Sequence, residues 1–381
     1  MDTGAKTSYT QLDFQGEVID ETRITSAKME GIEQAEGPLA PKIQRHRDTV
    51  KRKTEEIIKQ KGLPECGESR VWVNTDQPDK LVENPEKPEV KMLSWNIERG
   101  YKVDEQIDYL KQTNPDIICL QEVDWDCERT GNQNIALKIA KEAKYKYVVY
   151  TTEFLELDGS KKDFPLSLRE KLNKIGKGGG AHGHALLSKH PITNVSAIKL
   201  DNLWHDWEGG DTEMSKREPR KGQRVAQRID IKIGNKNITI YNTHFEDKTN
   251  TGGRLVQWDQ VAKDAEKAGN SVVITGDLNT ISHGIANVLP TARNNFFGRN
   301  RKLGQKDSEF WRESEFQSLS AGRKKTYNDP TTDPTFSIGP AYKAKLDWIL
   351  LQDGKFAVKE SSLGTSELSD HRPVIVTSII E

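Results

Sequence analysis

The chain has 381 residues, 34% hydrophobic and 30% charged, with a formal net charge of -1. That length fits one large domain with a tail, or two domains. The low apolar share implies sizeable polar loops or an unfolded segment beside a real core, and the near-zero charge argues against a general nucleic-acid coat while leaving room for a locally basic groove.

Residues 1–40 are acidic and polar. Between positions 2 and 36 there are eight Asp or Glu against three Lys or Arg, a composition that predicts disorder. Residues 41–62, PKIQRHRDTVKRKTEEIIKQKG, change sign. Pro41 suits a first helical position and Gly62 a stop, so a helix is expected there. Its apolar residues are sparse, which favours a solvated helix over one that docks a partner. Residues 63–89 carry several prolines and read as a linker. The folded unit is expected to stand and work without residues 1–85, leaving the charged N-terminal segment free to bind a partner.

From Val90 the texture changes. KMLSWNI, DIICLQEV, KYVVYTT, HALLSKHPI, VAQRIDIKI, NITIYNTHF, SVVITGDLN, KLDWILL and RPVIVTSII are short apolar or β-branched runs that predict strands. Apolar residues at three- and four-residue spacing predict helices over 104–111, 132–144 and 253–267, the last stopped near Gly269. Residues 90–381 therefore form an α/β domain with two sheet layers or one large sheet. Of three cysteines, Cys66, Cys119 and Cys127, none has metal-type spacing, and no disulfide scaffold is expected; Cys119 reads as a small buried hydrophobe. No basic segment followed by an apolar one opens the chain, and no window approaches the roughly 18 apolar residues of a membrane span. A soluble, intracellular monomer is expected, without a signal peptide or transmembrane segment.

Strand after strand ends in a residue able to bind a metal or a phosphate. Asn96 ends SWN, Glu122 ends LQE, Asn242 and His244 end YNTH, and Asp277 and Asn279 end GDLN. Asp347 opens DWILL, and Asp370 and His371 precede the last strand. Each alone is most simply a turn residue, a solvated acid or a packed histidine. Their common position at element ends, where rigid supports fix geometry, sets the group apart. Asp277 and Asn279, two residues apart, can leave the strand on one side.

Together SWNI, LQEVD, NTH, GDLN, LDWIL and SDH resemble the endonuclease/exonuclease/phosphatase superfamily over residues 90–381. The resemblance implies a two-sheet β-sandwich flanked by helices, four layers in all, with the site at one end. It implies Mg²⁺ or Mn²⁺ held by Glu122, with Asn96 beside it and Asp370 in the same shell, a set of oxygen ligands suited to those ions. It implies that Asp277 orients or deprotonates the attacking water and that Asn279 holds the water or the phosphate. His371 becomes the phosphate-facing histidine, oriented by Asp347, and His244 a second phosphate contact or proton donor. The family's phosphate-facing arginine matches Arg224 best, with Arg220 the alternative. One departure is Gly183-His184-Ala185, where the family often has Gly-Asn-Ala.

Insertions must choose the substrate. GKGGGAHG, ending residues 153–183, lacks Walker spacing and reads as a flexible loop. Trp204 and Trp207 could stack a base, enter a lipid interface or pin their loop. Residues 291–325 interleave basic residues with Phe296 and Phe297, as a backbone-tracking surface for nucleic acid or a solvated loop would. The leading expectation is a metal-dependent phosphodiesterase acting on nucleic acid. The alternatives are a phosphatase or phospholipase-C-type hydrolase of inositol phosphates or sphingomyelin, and a non-catalytic binding scaffold, against which the complete residue set speaks.

Overall fold

The computed structural model describes residues 6–7, 11–14, 18–20, 26–27, 41–157, 178–201, 207–208, 219–247, 249, 251–280, 323–331, 333–338, 342–365 and 367–381. In chain order the elements are β1 (Lys6–Thr7), β2 (Gln11–Leu12), β3 (Val18–Asp20), β4 (Ser26–Ala27), α1 (Pro41–Lys61), β5 (Ser69–Val73), β6 (Glu89–Arg99), α2 (Val103–Thr113), β7 (Ile117–Trp125), α3 (Ile135–Glu142), β8 (Tyr147–Glu156), β9 (Ala181–Ser188) and β10 (Ile192–Lys199). Then follow β11 (Arg220–Gly222), β12 (Val225–Ile233), β13 (Lys236–His244), α4 (Thr251–Lys267), β14 (Ser271–Asp277), β15 (Tyr327–Asn328), β16 (Phe336–Ile338), β17 (Tyr342–Ala344), β18 (Asp347–Gln352), β19 (Phe356–Leu363) and β20 (Val374–Ile380).

Two sheets face each other. One has ten strands, ordered β19-β20-β6-β7-β9-β8-β5-β2-β3 with β11 added to β8, and the other has six, ordered β10-β12-β13-β14-β18-β15. β6 with β7 and β13 with β14 pair in parallel. Each of these pairs is joined by a helix, α2 or α4, as a parallel connection requires.

Period-two alternation builds the layers. On β6, Leu93, Trp95 and Ile97 pack outward with Ile107 and Leu110 of α2 and Ile135 and Ile139 of α3. Met92 of the same strand points inward, into a cluster with Ile117, Cys119, Val149 and Leu186 and, from the opposing sheet, Ile229, Ile231, Ile240, Val273 and Ile349. Beyond the six-stranded sheet, Tyr241, Val272, Ile274 and Leu350 pack with Trp258, Val261, Ala262 and Ala265 of α4. Helices, sheet, sheet, helix make the four layers. At roughly 25 cal/mol per Å² of apolar surface removed from water, these three clusters dominate stability.

The N-terminal region departs from expectation. α1 spans the predicted residues, but it is not a solvated helix: Val50 and Ile57 are 1% and 7% exposed and belong to the outer core. Lys61 Nζ donates to the carbonyls of Asp126 and Gly179 at 2.7 and 2.9 Å. Positions 50, 54 and 57 fall on one buried face at helical spacing, with Thr54 returning its hydroxyl to the Val50 carbonyl. The stretch read as a linker contains β5, which pairs antiparallel with β8 from Ser69↔Thr151 to Val73↔Tyr147. Four of its five residues are buried because both its faces are covered. Within the segment read as disordered, β2 pairs with β5 and Phe14 is 8% exposed against the outer core. None of the described helices is long and apolar enough to cross a membrane.

Candidate active site

Inward-facing positions of the two sheets change character toward one end of the sandwich. The apolar cluster gives way to a layer of amides and hydroxyls. Gln121 Nε2 donates to Asn242 Oδ1 at 2.7 Å, Asn242 Nδ2 donates to Gln227 Oε1 at 3.2 Å, and Gln227 Nε2 donates to Thr151 Oγ1 at 2.9 Å. Asn242 Nδ2 also lies 3.2 Å from the Leu120 carbonyl and 3.1 Å from that of Ala185, so it stitches one sheet to the other. Asn242, named from sequence as a strand-end residue, therefore sits one step inside the site, beneath it.

The next step along the same faces is charged. The penultimate residue of β14 is Gly276, whose φ of +134° and whose α-carbon set against the Thr243 carbonyl leave no space for a Cβ. Asp277 follows, 2% exposed. Its Oδ1 accepts from the Asn279 backbone N–H at 2.9 Å. Its Oδ2 is a focus: Asn96 Nδ2 lies at 3.2 Å, His244 Nε2 at 3.4 Å and His371 Nε2 at 3.7 Å. Burial raises the Asp277 carboxyl above its ordinary range, against the pull of His371, and Asp347 adds to the rise. Asn279 turns the chain at φ +49° and anchors its side chain by donating from Nδ2 to the Phe245 carbonyl at 2.8 Å.

His371 is fixed from every side. Its Nδ1 lies 2.7 Å from Asp347 Oδ2, and its ring meets Phe336 at a centroid distance of 4.9 Å. Its carbonyl accepts from Trp95 Nε1 at 3.0 Å, and its N–H donates to Ser369 Oγ at 3.2 Å. Burial disfavours its charge, but Asp347 and Asp277 more than compensate and hold the imidazole protonated above its ordinary range. Asp347 opens β18 and its N–H donates to Thr335 Oγ1 at 3.0 Å.

Glu122 reaches the same end by a different device. Alternation on β7 would aim it at the helices with Leu120. A register break between Leu120 and Val123, with φ +51° at Glu122, re-aims it. Arg99 Nη1 donates to Glu122 Oε2 at 2.8 Å, and Asn96 Nδ2 lies 3.3 Å from Oε1. Ser369 Oγ donates to the Asn96 carbonyl at 2.7 Å and lies 3.3 Å from Asp370 Oδ1, which brings the exposed Asp370 to the end of β6. Glu122 and Asp370 offer carboxylate oxygens, and the Glu122 side chain is one-fifth exposed; the Asn96 amide oxygen accepts from the Glu98 N–H at 3.1 Å and joins the set only if the amide turns over. Such an oxygen-only set fits Mg²⁺ or Mn²⁺. Ligand-type atoms of Asp277, Asp347 and His371 also lie within 4.8 Å of one another. The 2.7 Å Asp347–His371 contact is a hydrogen bond, so that trio is better described as an acid–histidine–acid chain than as a metal cage.

Arg224, 5% exposed, is brought to the site but faces several groups within the protein. Its Nη1 lies 3.0 Å from His244 Nδ1 and 3.3 Å from Glu153 Oε2, its Nε 3.7 Å from Glu246 Oε2 and its Nη2 3.7 Å from Asp247 Oδ1. Arg220 lies farther back, its guanidinium 3.5 Å from the Trp207 ring. His184 is fully buried, its Nε2 3.2 Å from Glu153 Oε1. The structure thus gathers Asn96, Glu122, Arg224, His244, Asp277, Asn279, Asp347 and His371. Sequence reading missed Glu153 and Arg99; the one available signal for Glu153 was an acid in the interior of a strand-like run, β8, that opens with Tyr147, Val148, Val149 and Tyr150.

The substrate-facing insertions are partly described. Trp207 is 2% exposed and donates from Nε1 to Glu246 at 2.8 Å, so it pins its loop; Trp204, and residues 281–322 with Phe296 and Phe297, lie outside the described residues. A Cβ at Gly179 would meet the Glu156 carbonyl at 2.1 Å and one at Gly180 the Trp125 carbonyl at 2.5 Å, so these glycines permit close backbone packing.

A family model described as the Endonuclease/Exonuclease/phosphatase family matches residues 93–371. Solved structures similar to this chain include the endonuclease/exonuclease/phosphatase from Beutenbergia cavernae, 15% identical, covering 77% of this chain and 72% of that one at a TM-score of 0.48. ANGEL2, a 2′,3′-cyclic phosphatase, is 12% identical over 80% of this chain and 99% of its own, TM-score 0.49. The human Nocturnin catalytic domain is 16% identical over 77% and 94%, TM-score 0.47. No curated protein matches the sequence.

Proposed function

The chain belongs to the endonuclease/exonuclease/phosphatase family, and we propose that it is a divalent-metal-dependent phosphodiesterase that cleaves nucleic acid by attack of water on phosphorus. The observation that carries the chemistry is Asp277 Oδ2, on which Asn96, His244 and His371 converge. Asp277, with a carboxyl raised by burial, takes the proton of the attacking water, and Asn279 holds that water in place. His371, held as imidazolium by Asp347 and Asp277, donates to a phosphate oxygen as charge builds there. His244 makes the second phosphate contact, and Arg224 is the cation next to it. Glu122, Asn96 and Asp370 would hold Mg²⁺ or Mn²⁺, which when bound supplies Lewis-acid stabilisation of phosphate charge.

Nucleic acid is chosen on composition. Residues 291–325 carry nine Lys or Arg against four Asp or Glu, interleaved with aromatic residues, as a phosphate-tracking surface would. The test is a gel assay of supercoiled plasmid, single-stranded DNA and RNA with Mg²⁺ or EDTA, alongside Asp277→Asn. Cleavage that needs the metal and is lost in the variant supports the reading. Absence of cleavage on all three, with turnover of an inositol phosphate or sphingomyelin, moves the substrate to those smaller esters. Absence of turnover on every phosphoester overturns the hydrolase.

A further inference from the structure

We propose that Glu153 is a positioning residue that acts through Arg224 to hold His244 as a neutral imidazole with its proton on Nε2, so that His244 is a fixed hydrogen-bond donor rather than a proton carrier. This rests on the hydrolase reading only in placing His244 at the phosphate.

The argument is one of hydrogen-bond inventory. Arg224 Nη1 lies 3.0 Å from His244 Nδ1. A guanidinium has donors and no acceptor, so Nδ1 must accept through its lone pair. A ring that accepts at Nδ1 carries its proton at Nε2, and Nε2 faces Asp277 Oδ2 at 3.4 Å. A second ring proton would set N–H against N–H beside a full positive charge. The alternative tautomer would do the same.

Arg224 cannot turn away easily. Glu153 Oε2 accepts from its Nη1 at 3.3 Å, and Glu153 Oε1 in turn accepts from the Val225 N–H at 3.3 Å and lies 3.2 Å from His184 Nε2. Glu153 and His184 are fully buried, and Arg224 and His244 are 5% and 3% exposed. The charged and titratable groups facing His244 come from five elements: Arg224 ahead of β12, Glu153 on β8, His184 on β9, Glu122 on β7 and Asp277 on β14. Burial and then Arg224 hold the imidazole well below its ordinary range, and the acids Glu153 and Glu122 offset this only in part. His371 shows the opposite arrangement, with Asp347 at its Nδ1 and Asp277 toward its Nε2. Two histidines flanking one carboxylate therefore differ in charge because one has a donor at Nδ1 and the other an acceptor.

The test reads the ring directly. Two-bond ¹H–¹⁵N correlation of the full-length, ¹⁵N-histidine-labelled protein in Mg²⁺ buffer distinguishes the two neutral tautomers from the cation, with His244 assigned by loss of its signals in His244→Gln. The expected result is the neutral Nε2–H pattern across roughly pH 5 to 8. A proton on Nδ1, or titration within that window, overturns the proposal without any variant. The double variant Glu153→Gln with Arg224→Met removes the donor and neutralises its Glu153 partner, while Glu246 and Asp247 lose the Arg224 cation. It should let His244 titrate within the window and lower kcat on bis(p-nitrophenyl) phosphate about tenfold or more. Wild-type tautomer and kcat in that variant would equally overturn the proposal. Because the tautomer is read without turnover, failure of the hydrolase reading does not decide it.

Discussion

Asp277 and His371 touch the same small volume, yet neither carries the apolar packing of the strands that hold them. Asp277→Asn keeps shape and loses the base, so kcat on the cleaved substrate should fall about 10² to 10⁴-fold while the thermal midpoint changes little; a rate within a few fold of wild type would remove Asp277 from the chemistry. The positions of these residues stood out in the sequence because each terminates or opens an apolar run; the roles expected of them came from the family resemblance. The contacts of Arg224 were not readable. Its partners Glu153, Glu246 and Asp247 lie 71, 22 and 23 positions away, and no local pattern distinguishes an inward-tied arginine from one left for a phosphate.

At the scale of elements, two devices matter. The amide layer of Gln121, Asn242 and Gln227 lies between the apolar core and the charged end. Asn242→Ala removes the partner of Gln121 Nε2 and of the Gln227 carbonyl oxygen, and should lower stability by about 1 to 3 kcal/mol in urea unfolding; a smaller loss would mean that water or a neighbour replaces it. The second device is α1. Ile57→Ala should cost about 2 to 4 kcal/mol, measurable in the same way, whereas a solvated helix would lose a few tenths. A protein lacking residues 1–75 is expected to unfold or aggregate, because it exposes the edge of β8 and the apolar cluster beneath α1. Folded, fully active protein after that deletion would restore the linker reading of residues 63–89. The helix itself was legible from Pro41 and Gly62. Its burial was not, since three positions, 50, 54 and 57, suffice to dock it and one of them is a threonine.

At the scale of the molecule, the charged end of the sandwich is a buried network. Asp124 takes two bonds from Arg129, at 2.6 and 2.8 Å, and lies 2.9 Å from His182 Nδ1; Arg129 and Arg220 approach Glu156 at 3.5 and 3.6 Å. Burial opposes ionisation of Asp124, Glu153 and Glu156, but the cations beside them prevail. Their carboxyls are held below the ordinary range, that of Glu156 at about 2. Depressed folded-state values mean that the unfolded chain binds these protons first, so the stabilisation is complete above the ordinary carboxylate range and disappears as pH falls through about 4 toward 2. Urea midpoints should therefore drop steeply as pH falls from about 5 toward 2. A midpoint that holds to pH 3 would contradict the network.

The sequence alone determined nine of the strands after residue 90, though not β10, β11, β15, β16, β17 or β19, together with the helices between them and the identity and order of the residues that gather at one end. It could do so because period-two and helical spacing are local, and because polar residues at the ends of apolar runs stand out against them. Only the tertiary structure decided which sheet pairs with which helix layer, that α1 and β5 belong to the fold, and that Glu122 turns inward on a bulge. It alone set a donor against His244 and an acid against His371. Those outcomes depend on strand order and register, which bring together residues that local spacing cannot relate, and it is the partner met there that fixes where each proton resides.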